Sequence, residues 1–419
     1  MTVRSVSLRT EGHLIDTGLL SRYLAIVVEN GATYELRHFE IGRSVEDFSK
    51  LWFTVSGGED VLAQVVEDLV SHGCIVEGNE PVTLRPSAAD RTVPDDFYST
   101  TNHRTEVYHD GAWIPVGDQR MDACLVIDPA RRARCVKLRD IHQGDLVVCG
   151  ATGVRVHPPF KSREATDFVF MGNEVSSERR VERMVEVIAQ EMQAIRDRGG
   201  RTVVVAGPVV VHTGGGEHLG RLIRGGYVQA LLSGNALAVH DVERALYGTS
   251  LGVDHHSGIP VHEGHMNHMR AINAINKCGS LRAAVDKGVL REGIIFECIR
   301  AGVPFVLAGS IRDDGPLPDT LMDLLEAQAK TAEQLTGAEM EIILSTMLHG
   351  IGVGNMTPSW VKTVCVDINP AVVTKLVDRG SAQAVGIVTD VGLFLRLLAD
   401  ALPPEKARGA GPAPGPGGT

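Results

Sequence analysis

In the second half of the sequence, polar stretches repeatedly follow apolar, strand-like runs. They read Ser233-Gly234-Asn235-Ala236, Gly309-Ser310-Ile311-Arg312-Asp313-Asp314, Ser345-Thr346-Met347-Leu348-His349-Gly350, Asp367-Ile368-Asn369 and Thr389-Asp390-Val391. Ligands of open parallel sheets bind beyond the carboxyl ends of the strands, where an acidic side chain can hold ribose hydroxyls. The bland use of the same residues is helix N-capping, since a helix-like segment follows each. Several such ends beside glycine-rich turns favour a dinucleotide site. A further glycine turn, Gly214–Gly216, lies between an apolar run at 203–205, resumed at 209–211, and a helix-like segment at 219–224. Its spacing, Gly214-x-Gly216-x-x-x-Gly220, misses the G-x-G-x-x-G fingerprint by one residue, and the expected acidic partner is not cleanly placed.

A second constellation lies earlier. Thr100-Thr101-Asn102-His103-Arg104-Thr105 and Gln119-Arg120-Met121-Asp122, with Lys137, Arg139 and Asp140 on the next hairpin, put cations, a histidine and carboxylates into one small β-rich segment. Each cluster alone reads as a solvated loop. Together they form a cradle for a zwitterionic amino acid, with Arg or Lys for the α-carboxylate and Asp for an ammonium. Between 254 and 268 come Asp254, His255, His256, His262, His265 and His268. There is no H-E-x-x-H and no cysteine in that stretch, so substrate contacts or a general base fit these residues better than zinc. No metal site is expected.

These residues need elements to hold them. Residues 1–85 alternate as βαββαβ, the order of a ferredoxin-like α/β sandwich, with strands near 5–8, 34–41, 50–56 and 74–76 and helices near 19–29 and 60–71. Residues 86–175 carry short, evenly spaced β-like runs, which suggests a small barrel or sandwich. Residues 176–402 alternate strands with helices, beginning with a long amphipathic helix that Ser177 can cap. That pattern implies a mostly parallel sheet covered on both faces, a Rossmann-like α/β domain. Residues 403–419 are Ala/Gly/Pro-rich and are expected to be disordered. The polar clusters of residues 86–175 are expected to face the strand ends of the large domain, because a dinucleotide and an amino acid that react with each other must lie in near contact.

Composition narrows the function. The chain has 419 residues, is 43% hydrophobic and carries a net charge of −11, which disfavours a partner held by nucleic-acid phosphates. No run of about eighteen apolar residues suggests a membrane span, and the N-terminus lacks the apolar core of a signal peptide. The seven cysteines include no C-x-x-C pair, so reduced thiols in a cytoplasmic protein are the simplest reading.

The runs FYSTTNHRTEV, QRMDA, LRDIHQGDLVV, NEVSSER, GNALAVHDVE, GTSLGVD and GHMNHMRAIN resemble the LOR/SDH family, whose name refers to lysine-oxoglutarate reductase and saccharopine dehydrogenase. The resemblance covers about residues 5–402 and is to the NAD-dependent cyclodeaminase branch of that family. It implies a Rossmann-like domain related to deoxyhypusine synthase, which would account for the missing fingerprint. It also implies a closed redox cycle. Tightly held NAD takes hydride from Cα of ornithine, the δ-amine attacks the imine, ammonia leaves, and the hydride returns to give proline. The resemblance places NAD contacts at Asn235, Ala236, Asp314, Thr346, Met347, Leu348, His349, Asp367, Asp390 and Val391. The substrate residues expected from chemistry are Asn102, Arg120, Asp122 and Lys137, with Asp254, His268 or His103 as the base.

A cytoplasmic homo-oligomer acting on a small amino acid, without nucleic-acid or membrane partners, is the resulting expectation. Two other functions remain open. One is an NAD(P)-dependent amino-acid dehydrogenase of lysine or saccharopine type, or a lysine cyclodeaminase. The other is a non-catalytic amino-acid sensor. Ornithine and lysine differ by one methylene, worth only about 1–3 kcal/mol in a pocket.

Overall fold

The structure, a computed structural model, describes residues 4–15, 17–43, 47–78, 80–158, 181–254, 264–313, 315–379 and 384–403. The expected Ser177 cap, the expected disordered tail beyond residue 403, and His255, His256 and His262 lie outside the described residues. The chain divides into two compact units. One is Met1–Gly172 with Gly354–Val361 and Arg379–Ala384; the other is Asn173–Val353 with Lys362–Asp378 and Val385–Thr419. Among the described residues no helix is long and apolar enough to cross a membrane.

The first unit opens with β1 (Arg4–Gly12), α1 (Leu19–Glu29), β2 (Thr33–Glu40), β3 (Ser49–Gly57), α2 (Glu59–Ser71) and β4 (Ile75–Val76). Strict alternation along β3 buries Leu51, Phe53 and Val55 and leaves Lys50, Trp52 and Thr54 half-buried. Helix α2 sets Leu62, Val65, Val66, Leu69 and Val70 on its buried stripe. The antiparallel order β2-β3-β1-β4 is the ferredoxin-like arrangement expected from βαββαβ. The following strands are β5 (Thr83–Pro86), β6 (Arg104–His109), β7 (Ala112–Gly117), β8 (Cys124–Ile127), β9 (Ala133–Val136), β10 (Leu146–Cys149) and β11 (Val154–His157). They form a seven-stranded sheet in the order β11-β6-β7-β9-β8-β10-β5. All its pairs are antiparallel except β7 with β9. One apolar cluster runs from Leu8, Phe53 and Leu69 to Val107, Leu125 and Val154, so both sheets share a core.

The second unit holds α3 (Val181–Asp197), β12 (Thr202–Ala206), α4 (Val209–His212), α5 (Gly215–Arg224), β13 (Ala230–Gly234), α6 (Asn235–Tyr247), β14 (Thr249–Ser250) and β15 (Val253–Asp254). It continues with α7 (Asn267–Cys278), α8 (Leu281–Asp286), α9 (Ile294–Ala301), β16 (Phe305–Ala308), β17 (Thr320–Leu321), α10 (Leu324–Leu335) and β18 (Met340–Leu344). It closes with α11 (Met347–Gly354), β19 (Lys362–Asp367), α12 (Pro370–Arg379), β20 (Val385–Val388) and α13 (Val391–Ala401). The sheet β17-β16-β13-β12-β18-β19-β20 is parallel throughout. Apart from the added edge strand β17, this is the doubly wound 3-2-1-4-5-6 order of a Rossmann domain. Strands β12 and β18 are buried along their whole length, as strands covered on both faces must be.

Several local expectations are corrected. The run 209–211 is helix α4, not a resumed strand. Pro208 has no N–H for a sheet ladder and sits in the right-handed helical region, and the Val211 and His212 amides donate to its carbonyl at 2.9 and 3.2 Å. Residues 267–286 form two helices rather than one, because Gly279 turns left-handed at φ +92 and the Ser280 hydroxyl caps the second. Thr320–Leu321 adds an edge strand before its helix, which starts only where the Asp323 carboxylate accepts the Leu325 and Glu326 amides.

Candidate functional site

Strands β12 and β18 are neighbours, yet the chain leaves them in opposite directions along the sheet, towards β13 and towards β19. Their carboxyl ends therefore flank the topological switch point, where an open α/β sheet takes a ligand. At the end of β12, Gly207 donates its N–H to Leu344 O at 2.9 Å, and a Cβ there would collide with the Ser345 carbonyl oxygen. At the end of β18, Ser345 takes φ +45, a left-handed conformation costing a non-glycine residue about 1–3 kcal/mol. Its N–H is held by Val366 O at 2.9 Å. The bend starts α11 at Met347, so the open N–H groups of its first turn lie at the crevice. Met347 and Leu348 are 45% and 76% exposed there. The Thr346 hydroxyl lies 3.3 Å from Nδ1 of His349. The His349 ring rests on Gly234, where a Cβ would stand 2.9 Å from its Cε1. Burial holds His349 below the usual histidine range.

The acidic and amide residues at the strand ends divide by what they touch. Asn235 is buried, and its Oδ1 accepts the Leu317 N–H at 3.0 Å and the Thr320 hydroxyl at 2.9 Å, tying the end of β13 to the β16–β17 loop. Asp390 caps α13 through Leu393 N at 2.8 Å, and Val391 behind it is buried. Asp367 does not cap α12. Asn369 does, through Ala371 N at 3.0 Å, while Asp367 Oδ1 accepts the Asn369 N–H at 2.8 Å within that turn. Asp314 lies outside the described residues.

Helix α6 starts at Asn235 and lines a cavity of about 350 Å³ with Ala236, Val239 and His240. The other walls include Pro208, His212, Leu251, His268, Ser310, Arg312 and Asp313. Behind His240 lies Glu243, fully buried. Its carboxylate accepts the Thr249 hydroxyl at 2.9 Å and the Leu251 and Gly252 amides at 3.2 and 3.1 Å, and meets His240 Nδ1 at 3.1 Å. The His212 and His240 rings meet edge-on at 4.8 Å, and His212 Nδ1 lies 2.6 Å from the Ser250 hydroxyl. Asp254 is the last residue of β15.

The first unit brings Asn102, His103, Arg120, Asp122 and Lys137 together. Thr100 ties the loops, donating its hydroxyl to Arg120 O at 2.7 Å and accepting the Asp122 N–H at 3.2 Å, while Gln119 Nε2 donates to Thr101 O at 2.6 Å. Asn102 is buried, and its carbonyl accepts the Ser359 N–H at 2.9 Å. Burial pushes His103 down to about 4, with His72 adding, and its buried Nδ1 has no partner among the described residues. Burial and Arg139 hold Arg120 below the usual arginine range, and its Nε is likewise buried and unpartnered among the described residues. Lys137 is lowered by burial, then by Arg139 and Arg120, with Asp140 at 3.7 Å opposing. Arg139 thus acts on both Arg120 and Lys137, and Arg120 on Lys137, so three cations stand close together. Of the expected bases, His103 belongs to the first unit and Asp254 and His268 to the second.

The glycines that stood out in the sequence have a packing role. Gly214 takes φ +79 and starts α5, and Gly215 lies against Leu395 and Gly392 of α13, where a side chain would force the helices apart. In the sequence Gly207-Pro208 merely separates two apolar runs, and Ser345 is one polar residue in a turn. A proline directly after an apolar strand was the available signal. The pairing of His212 with His240 had none, because it joins α4 to α6.

Comparison with known proteins agrees with this geometry. Residues 4–103 match the model of the LOR/SDH bifunctional enzyme conserved region. Residues 104–185 match the first C-terminal region of arginine dihydrolase ArgZ-like proteins, and 186–398 match their C-terminal Rossmann fold. A protein of Methanocaldococcus jannaschii named ornithine cyclodeaminase is 49% identical over 410 residues, 96% of each chain. A crystal structure of cyanobacterial apo ArgZ, an arginine dihydrolase, superposes with a TM-score of 0.85 at 46% identity, covering 96% of this chain and 58% of that one. A ternary complex of AgrE with ornithine and NAD+ gives 0.53 at 49% identity, covering 96% and 57%. The chain spans 58% of the length of the bifunctional arginine dihydrolase/ornithine cyclodeaminases of Nostoc and Synechocystis. With all three family regions matched in order and a relative aligned along nearly its whole length, the chain belongs to the LOR/SDH family, together with the archaeal ornithine cyclodeaminases and the C-terminal part of the ArgZ-like proteins.

Proposed function

We propose that this protein is an NAD-dependent ornithine cyclodeaminase, converting L-ornithine to L-proline and ammonia without net oxidation. The observation that carries it is 49% identity along 96% of both chains with a protein of that name, in a chain whose parallel sheet has a doubly wound switch point. A complex of AgrE with ornithine and NAD+ supports the same ligands.

The residues at the switch point fit a dinucleotide. Gly207 and Gly234 let Ser345 and the His349 ring pack closely on the strand ends, and the first turn of α11 offers N–H groups to a pyrophosphate beside Thr346, Met347, Leu348 and His349. Asp367, free of any capping duty, would hold ribose hydroxyls and repel a 2′-phosphate. Asn235 with Ala236, and Asp390 with Val391, would frame the ends of that site, with Asp314 as a further contact. NAD supplies a hydride acceptor at the first step and the same hydride at the last. Arg120 and Lys137 would hold the substrate carboxylate, with Asn102 beside them and Asp122 facing an ammonium. The α-amine must lose a proton first, since hydride leaves readily only from carbon bearing a neutral amine, and His103, His268 and Asp254 are the groups that the sequence offers for that step.

The proposed setting is the cytoplasm, supported by seven unpaired thiols. The product would feed proline synthesis, and the working form would be a homo-oligomer, measurable by light scattering. The deciding experiment supplies ornithine with catalytic NAD and no reductant. Equimolar proline and ammonia with no rise at 340 nm is expected; steady NADH release would mark an amino-acid dehydrogenase instead.

A further inference from the structure

We propose that His240, held by the buried carboxylate of Glu243, is the group that takes the proton from the substrate α-amine and later returns it to the departing ammonia. This rests on the cyclodeaminase function proposed above and assigns the base to a residue that the sequence did not single out.

The first argument is position. Ala236, Val239 and His240 face one cavity because they stand three and four residues apart on α6. The helix start expected to meet the cofactor and the imidazole therefore share one wall, a single turn apart. The reacting carbon must lie beside the nicotinamide, so a base on this wall is within reach of its nitrogen.

The second argument is the proton inventory of the carboxylate. Glu243 receives the Thr249 hydroxyl, the Leu251 and Gly252 amides and the His240 ring. Burial alone would raise its pKa, but the His240, Gly252 and Thr249 hydrogen bonds together bring it below the usual carboxylate range. An ionised Glu243 only accepts, so His240 must present Nδ1–H to it. That fixes the tautomer and leaves Nε2 with a lone pair, the arrangement in which a carboxylate orients a histidine base.

The third argument is the neighbours. Among the described residues the ionisable groups facing the cavity are His212, His240, His268, Arg312 and Asp313. His212 is pushed down by burial and by His240, with Glu243 opposing. Its Nδ1 is occupied by Ser250. Glu243 is a positioning residue and His240 the catalytic one.

The step balances without a further reagent. An N–H bond of the α-ammonium breaks, the proton passes to His240 Nε2, and the electron pair stays on nitrogen. As Cα loses hydride to the nicotinamide ring, that pair closes the C=N bond; Cα is oxidised and the cofactor reduced. The δ-nitrogen adds as the free amine and its surplus proton passes to solvent; the proton on Nε2 goes to the leaving nitrogen, the ring nitrogen's electron pair closes the cyclic imine as ammonia departs, and the returning hydride restores both oxidation states.

The test uses the full chain with ¹⁵N-labelled histidine. Imidazole nitrogen shifts are expected to show His240 as the Nδ1–H tautomer with a slowly exchanging ring proton, lost in Glu243→Gln. His240→Gln, at a half-buried position that tolerates an amide, is expected to lower kcat by roughly 10²–10⁴-fold with NAD affinity kept within about threefold. Glu243→Gln is expected to lower kcat less and to shift the acid limb of the pH–rate profile. An Nε2–H tautomer in the wild type, or His240→Gln turning over ornithine within about threefold of wild type across the pH range, would overturn the assignment. If Glu243→Gln does not fold, the tautomer and His240→Gln still decide. If the wild type makes no proline from ornithine, the proposed function falls, and the tautomer alone still tests the Glu243–His240 pair.

Discussion

Replacing Asp367 by alanine separates cofactor binding from stability. At the end of β19 the Asp367 carboxylate accepts a single hydrogen bond among the described residues, from Asn369 N at 2.8 Å, in a partly exposed turn. The cap of α12 belongs to Asn369 and survives the change. Loss of one exposed turn bond costs about 0.5–1 kcal/mol of stability, so the melting temperature should fall by no more than about 4 °C. If the carboxylate holds ribose hydroxyls, it gives NAD charge-assisted hydrogen bonds worth about 1.5–3 kcal/mol. At 1.4 kcal/mol per decade that is roughly a ten- to hundred-fold rise in Kd for NAD. Removing the negative charge should also narrow the preference for NAD over its 2′-phosphorylated form. Calorimetric titration with both cofactors, beside melting curves of the cofactor-free protein, reads all three quantities. An NAD Kd within twofold of wild type would refute the ribose role. A large loss of melting temperature would mean that Asp367 is a structural residue after all.

Asn235→Ala leaves the buried Leu317 N–H without its acceptor, a cost of about 1–3 kcal/mol, and should lower the melting temperature without cofactor by roughly 2–12 °C, whereas Asn235→Asp keeps the acceptor and should melt near wild type. Equal melting of Asn235→Ala and wild type would show that the tie is not formed. Arg120→Ala removes the central cation of the Arg120–Lys137–Arg139 cluster and should abolish ornithine turnover with NAD affinity unchanged; near-normal steady-state activity would make that cluster a solvated turn. His103 titrates near 4 when folded and near 6.5 when unfolded, so between those values the unfolded chain binds a proton that the folded one refuses. Its contribution to stability is therefore complete above about pH 6.5 and is lost towards pH 4 at up to about 1.4 kcal/mol per pH unit, a slope that His103→Gln should flatten in acid denaturation curves; an NMR titration midpoint near 6.5 would contradict this.

Periodicity and punctuation made much of this protein legible in its residues. The βαββαβ start, the short strands between 104 and 157, and the alternation of buried strands with amphipathic helices are local properties. Apolar spacing, β-branched runs and turn residues express them within a few positions. The strand-end residues could be found in the same way, because a polar turn after an apolar strand is itself a local signal. Their division of labour could not. Asn369 rather than Asp367 caps α12, and Asn235 bonds Leu317 and Thr320 more than eighty positions away. Those assignments depend on which elements lie side by side. For the same reason the packing of Gly215 against α13 could not be read from the glycine turn at 214–216, while Gly207 and Ser345 gained meaning only when β12 and β18 became neighbours at the switch point. The histidine pair is the extreme case. His212 and His240 stand on different helices with ordinary surroundings in the sequence, and only the packing of α4 against α6 brings their rings to 4.8 Å, in front of a buried carboxylate that fixes the proton. Local spacing sets what each segment can become, whereas hydrogen-bond partners and desolvation are set by neighbours distant in the chain.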